Sequence, residues 1–175
     1  MNLPFAPDLT GKTAVITGGA GVLCAAFARA LAACGANTAI LDIAEDKAQA
    51  VADEIIQSGG AAIACKANVL DKASINRAHK QVLETYGKCD ILLNGAGGNS
   101  PKATTDDEFM EPAFIDDPDK MSFFDLDAEG FGFVFGLNFT GTLLPTQVFA
   151  RDMVGKPGSV IVNVSSMNAF TPLTK

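Results

Sequence analysis

The chain has 175 residues, 48% of them hydrophobic and 19% charged, which is the range of one globular domain with a real core and not of a disordered or fibrous chain. Its formal net charge is −7 and its 13 Lys and Arg are scattered, so it lacks the basic footprint of a nucleic-acid binder, and any phosphate has to be held by backbone N–H groups. No basic stretch with an apolar core opens the chain, and no window reaches the roughly 18 apolar residues of a membrane span, so the expectation is a cytoplasmic protein with no membrane partner.

Short β-branched runs alternate with longer segments of helical period, the pattern of a parallel sheet with crossover helices. Thr13–Thr17 (TAVIT) is a continuous apolar strand. After a Gly-rich turn, Val22, Leu23, Ala26, Phe27, Ala30, Leu31 and Cys34 follow at three-four spacing, a helix ended by Gly35 at its natural C-terminal position. Residues 38–41 predict a second strand, 46–57 a second helix closed by Gly59 and Gly60, and 61–65 a third strand. Asp71 is placed to cap a third helix that reaches Tyr86 and stops at Gly87.

Residues 89–93 (CDILL) and 159–164 (SVIVNV) predict the fourth and fifth strands, both uniformly apolar as strands covered on two faces are. Between them, 99–127 carries Pro101, Pro112 and Pro118 among many acids and reads as a long loop insertion placed where a substrate lid would sit. From 127 to 153 the spacing is helical but broken by Gly130, Gly132, Gly136 and Gly141, which argues against one unbroken helix and for a firm second half. The segment 142–151 is apolar on more faces than one sheet can bury, so copies of the chain itself are expected as partners. The whole reads as one domain over 1–175, an α/β doubly wound parallel sheet that stops after its fifth strand.

The cysteines, Cys24, Cys34, Cys65 and Cys89, form no C-x-x-C pair, and each lies in or beside an apolar segment where a thiol packs as a small hydrophobe. His79 is the only histidine, which leaves a His-based zinc site or a Ser-His-Asp triad almost nothing to work with, so no metal is expected.

The turn Thr17-Gly18-Gly19-Ala20-Gly21-Val22-Leu23-Cys24 lies directly between the first strand and the first helix, the place where exposed N–H groups and the helix dipole hold a pyrophosphate. Any tight strand-to-helix turn can use glycine, so the turn alone is weak evidence. Asp42, about 25 residues past Thr17, ends the second strand where a carboxylate accepts from both ribose hydroxyls and repels a 2′-phosphate, which favours NAD over NADP. Its alternative role is a helix cap or a solvated loop acid. Asp42 and its neighbour Ile43 together with the turn make dinucleotide binding the leading reading.

These residues resemble the short-chain dehydrogenase/reductase family, whose Thr-Gly-x-x-x-Gly-x-Gly turn is matched by Thr17 and Gly18 but not by Val22 and Cys24. Asn94-Gly95-Ala96-Gly97 is similar to the family's Asn-Asn-Ala-Gly, and Asn68-Val69 to its Asp-Val pair beside adenine. Asn138 matches the family's helix Asn and Ser166 its catalytic Ser at the end of the fifth strand. The resemblance implies a Rossmann fold, NAD as cofactor, and hydride transfer between nicotinamide and a hydroxyl or carbonyl. The Ser would polarise the carbonyl, a Tyr would act as general acid or base beside a Lys, and the Asn would support a water relay. Taken alone, Ser166 is a turn residue and Asn138 a buried polar helix residue.

The family's Tyr-x-x-x-Lys falls past Lys175, and Tyr86, the only tyrosine, precedes Gly87 at a helix end and reads as a packing residue. Two explanations stay open: part of a longer reductase, or a dinucleotide-binding module without catalysis. A flavodoxin-like phosphate binder is a third reading that explains neither Asp42 nor the Asn94 and Ser166 motifs. The turn, the run 99–105 and the acidic loop resemble the family's sugar-acid branch, so the small-molecule substrate implied is a sugar acid or polyol, with Lys102 either meeting its carboxylate or simply solvated.

Overall fold

The computed structural model describes residues 7–115 and 117–166. Five strands, β1 (Thr13–Thr17), β2 (Asn37–Asp42), β3 (Ala61–Lys66), β4 (Ile91–Asn94) and β5 (Val160–Asn163), form one parallel sheet in the order β3-β2-β1-β4-β5. The helices α1 (Val22–Ala33), α2 (Glu45–Gln57) and α3 (Lys72–Tyr86) are the crossovers between the first four strands, and α4 (Ala128–Phe135) and α5 (Gly141–Met153) lead into β5. This is the doubly wound Rossmann arrangement. The order reverses between β1 and β4, so a crevice opens there beyond the carboxyl ends of the strands.

The apolar strands explain the layering. All five residues of β1 are buried, and because successive side chains point to opposite faces, Ala14 and Ile16 join α1 and α2 while Val15 joins α3 and α5. Each face has its own core, one with Ile40, Val51 and Ile55, the other with Ile75, Leu92 and Phe149. Burying a side chain of this size is worth roughly 1.5–3 kcal/mol. Cys24, Cys65 and Cys89 are buried in these cores and Cys34 is half-buried, all four as free thiols.

At the opposite end of the sheet, Asp90 fastens three chain segments. Its carboxylate, 3% exposed, accepts from the Thr13 N–H at 3.0 Å and pairs with Lys12 at 3.2 Å and Lys156 at 2.8 Å. Burial alone would raise this carboxyl, but the bonds from Lys156, Thr13 and Lys12 outweigh it and hold it below the ordinary carboxylate range.

β5 is an edge of the sheet, and all four of its residues are exposed among the described residues. Two sequence expectations change. The 99–127 loop is more ordered than its prolines suggested. It contains short 3-10 turns at Pro101–Ala103, Pro112–Phe114 and Phe123–Asp125, the last closed by a reciprocal Ser122–Asp125 capping box, and Lys120 pairs with Asp107 at 2.5 Å. The unburied apolar surface lies earlier than 142–151. In that stretch Pro145, Val148 and Phe149 are buried, whereas Phe131, Phe133, Phe135 and Phe139 are exposed. The expected interruption of the long helix is real. A π-turn over Gly136–Thr140 separates α4 from α5; the Thr142 hydroxyl braces it by donating to the Asn138 carbonyl, and the Thr146 hydroxyl donates to the Thr142 carbonyl within α5.

Candidate functional site

The crevice between β1 and β4 is a cleft of about 390 Å³. Its floor is the Gly-rich turn. Gly18 adopts φ +63°, and a Cβ there would stand 2.8 Å from the Ala96 Cα and 2.9 Å from the Ala96 nitrogen, so only glycine lets the turn lie against the exit of β4. The turn is tied down by Gly19 N–H to the Leu41 carbonyl at 3.1 Å and Gly21 N–H to the Gly18 carbonyl at 2.9 Å. Gly21 is the N-cap of α1; it offers no side-chain cap, and no acid stands in the first helical turn. The N–H groups of Val22, Leu23 and Cys24 therefore have no intrahelical partner, and the positive end of the α1 dipole opens into the cleft.

The Asp42 carboxylate sits at the rim, half-buried. One oxygen accepts from the Ala20 N–H of the turn at 3.1 Å and the other from Ala44 N–H at 2.9 Å. An ionised carboxylate has about four acceptor positions, so two remain. Ile43, Asn68, Val69, Ala96 and Gly97 line the same cleft with Gly18, Gly21, Val22 and Leu23. Asn68 is shaped locally: its Oδ1 accepts from Leu70 N–H at 3.0 Å and its own N–H donates to Ser74 Oγ.

Three of the residues singled out for this cleft do other work. Thr17 is fully buried, and its Oγ1 accepts from the N–H groups of Gly95 and Ala96 at 3.1 and 3.2 Å, which aims the β4 exit. Gly19 is buried beneath the turn, where a Cβ would meet the Ile40 Cγ2 at 2.8 Å. Asn94 points away from the cleft: its Nδ2 donates to Thr146 Oγ1 and Asn163 Oδ1, both at 2.9 Å, joining β4 to α5 and β5. Cleft residues that sequence reasoning missed are Cys24, Ala67, Gly95 and Leu137. Gly95 and Cys24 lay inside quoted motifs, but nothing in one sequence says that the Gly95 backbone and the Cys24 side chain reach the cleft.

Asn138 lies in the π-turn, a helix irregularity that recurs at functional sites, and it is exposed. Its Nδ2 donates to the Gly98 carbonyl at 2.8 Å and its Oδ1 accepts from Gly98 N–H at 3.0 Å, which fixes the chain leaving β4. Ser166 is exposed and follows β5 at the carboxyl end of the sheet, the end that carries the cleft. Tyr86 sits at the other end, where its carbonyl accepts from the Thr13 hydroxyl at 2.9 Å, so it cannot reach this site. Lys102 pairs with Asp127 at 3.5 Å. The positions expected for Tyr-x-x-x-Lys lie outside the described residues.

Among the described residues no helix is long and apolar enough to cross a membrane. The short chain dehydrogenase family model matches residues 12–175. The chain is 54% identical to a protein of Haemophilus influenzae whose crystal structure, provisionally designated a D-mannonate oxidoreductase with bound NAD, superposes with TM-score 0.92 over 97% of this chain and 60% of that one. It is 49% identical over 99% of its length to an uncharacterized oxidoreductase, UxuB, of Bacillus subtilis, covering 61% of that protein. A 7α-hydroxysteroid dehydrogenase complexed with NADH and 7-oxo glycochenodeoxycholic acid is 31% identical, with TM-score 0.76 over 92% of this chain and 55% of that one. The chain thus spans about 60% of the length of its nearer relatives. It belongs to the short chain dehydrogenase family.

Proposed function

We propose that this chain holds the NAD-binding half of an NAD(H)-dependent oxidoreductase that interconverts a hydroxyl and a carbonyl on a small molecule. The observation that carries the reading is the Asp42 carboxylate at the end of β2, hung between the Gly-rich turn and the start of α2 with acceptor positions to spare. Those positions suit the two adenosine ribose hydroxyls, and the negative charge disfavours a 2′-phosphate. The free N–H groups at the start of α1 suit a pyrophosphate. Ala67, Asn68 and Val69 would flank the adenine side, and Ala96 and Gly97 would let the dinucleotide pass β4. NAD supplies the hydride acceptor, and NADH the donor, at the nicotinamide ring. Ser166 donates its hydroxyl hydrogen to the reacting oxygen, and Asn138 holds the Gly98 segment at the inner end of the cleft.

The substrate class we favour is a sugar acid or related polyol, on the strength of the Haemophilus influenzae relative and its designation. We place the protein in the cytoplasm, acting as one domain, and assign the exposed side chains of Phe131, Phe135 and Phe139 to contact between copies of the chain. The test is a fluorescence titration with NADH and NADPH, with Asp42→Ala as control. Tight NADH binding that weakens at least ~10-fold in the variant, a loss of about 1.4 kcal/mol, supports the assignment. A preference for NADPH, or no binding of either, defeats it.

A further inference from the structure

Helix α1 and the exit of β4 meet at one atom. A Cβ built on Gly95 would fall on the Cys24 sulfur, and the Thr17 carbonyl oxygen at 3.2 Å and Leu93 Cδ2 at 3.3 Å close in beside it. The sulfur already occupies the volume that a side chain at 95 would need. Cys24 is 4% exposed and packs into the same core as Ile16 and Leu93. Its single side-chain torsion has one of three rotamers closed off in a helix, so the sulfur has little room to swing clear. Cys24 and Gly95 are also two positions where this sequence leaves the family's turn and Asn-Asn-Ala-Gly patterns, one gaining a side chain and the other losing one.

We propose that Cys24 and Gly95 are a matched pair in which the thiol fills the space over residue 95 and thereby sets how far the first turn of α1 stands from the β4 exit. Cys24 is a positioning residue. The contact fixes the spacing between the free N–H groups of α1 and the opposite wall formed by Ala96 and Gly97, across the path assigned above to the pyrophosphate. The pairing predicts that residue 95 tolerates a side chain only when residue 24 gives up its sulfur. The effect on affinity rests on the NAD reading of the cleft; the packing itself does not.

The test is a double-mutant cycle of Gly95→Ala, Cys24→Ala and the double variant. Each is followed by thermal unfolding without cofactor and by NADH titration well below its Tm, so that lost stability does not register as lost affinity. Gly95→Ala is expected to lower Tm and weaken NADH at least ~10-fold, and Cys24→Ala, which empties the space over residue 95, to lower Tm and weaken NADH by a smaller factor of ~3- to 10-fold. The double is expected to bind NADH within ~3-fold of the parent, closer than either single variant, with the Tm loss likewise reversed. Additive losses in the double, or a Gly95→Ala protein equal to the parent, overturn the pairing. If Gly95→Ala fails to fold, a folded double supports the pairing and an unfolded one overturns it. A parent protein that ignores NADH defeats the nucleotide reading, and the unfolding cycle then decides the pairing alone.

Discussion

Replacing Gly18 by alanine is expected to cost about 2–4 kcal/mol of folding stability, and the structure separates the two sources of that cost. The first is backbone conformation. At φ +63° an L-residue is in the left-handed region, at roughly 1–2 kcal/mol, while the loss of glycine's freedom in the unfolded chain returns about 0.4–1 kcal/mol. The second is space. The new Cβ would stand 2.8 Å from one Ala96 backbone atom and 3.0 Å from the Gly95 carbonyl oxygen, and backbone cannot step aside as a side chain can, so overpacking adds roughly 1–3 kcal/mol. Gly59 is the control: its φ is +85° but a Cβ there meets nothing within 4 Å, so Gly59→Ala carries the strain without the collision and should cost about 1 kcal/mol. Urea unfolding of both variants measures the difference, and NADH titration of the folded fraction should show a loss for Gly18→Ala only. Equal unfolding costs for the two variants would refute the claim that the β4 exit, and not φ, fixes residue 18.

At the other end of the sheet, Asp90→Asn should cost about 2–3 kcal/mol at neutral pH, since a buried acceptor loses its charge beside Lys12 and Lys156. Because the folded carboxyl lies below the ordinary carboxylate range, that stabilisation is fully present above about pH 4 and fades as pH falls through the folded value; the gap between parent and variant in urea should close there. Burial pushes the Cys65 and Cys89 thiols up to about 12, so their contribution is complete below the ordinary thiol value of 9.0 and lost as pH rises from there toward about 12. Stability should fall over that alkaline window, and a thiol reagent at pH 8 should label half-buried Cys34 well before the buried cysteines. Asp42→Asn keeps one side-chain oxygen and removes the charge; it should leave stability within about 1 kcal/mol of the parent yet narrow the gap between NADH and NADPH affinities. Unchanged discrimination would place selectivity elsewhere.

The sheet was legible because its strands are short, apolar and separated by glycines at real turns. Thr13–Thr17 is buried along its whole length, and Asp71 caps α3 by accepting from the Ala73 N–H at 2.9 Å. Side-chain direction was not legible. The motif register pointed to Thr17, Gly19 and Asn94, but the Thr17 and Asn94 side chains hold the walls from behind, and Gly19 is packed under the turn against Ile40. The π-turn at Gly136–Thr140 escaped because four glycines signal an interrupted helix without saying what kind of interruption it is.

The two readings of Asp42 offered by its sequence position, a ribose acceptor and a local cap, do not compete. Its carboxylate accepts from Ala20 and Ala44, so the fold itself uses half of its acceptor capacity to hold the turn against the end of β2. Holding the turn there is what leaves the first N–H groups of α1 facing open space and not a side-chain cap. The same carboxylate thus fixes the distance between the end of β2 and the start of α1. Two of the family's three glycines in this turn are replaced, while the positions that need glycine by contact, Gly18 against Ala96 and Gly19 against Ile40, are glycine. Val22 is exposed at the cleft, and Cys24 has found its space over Gly95.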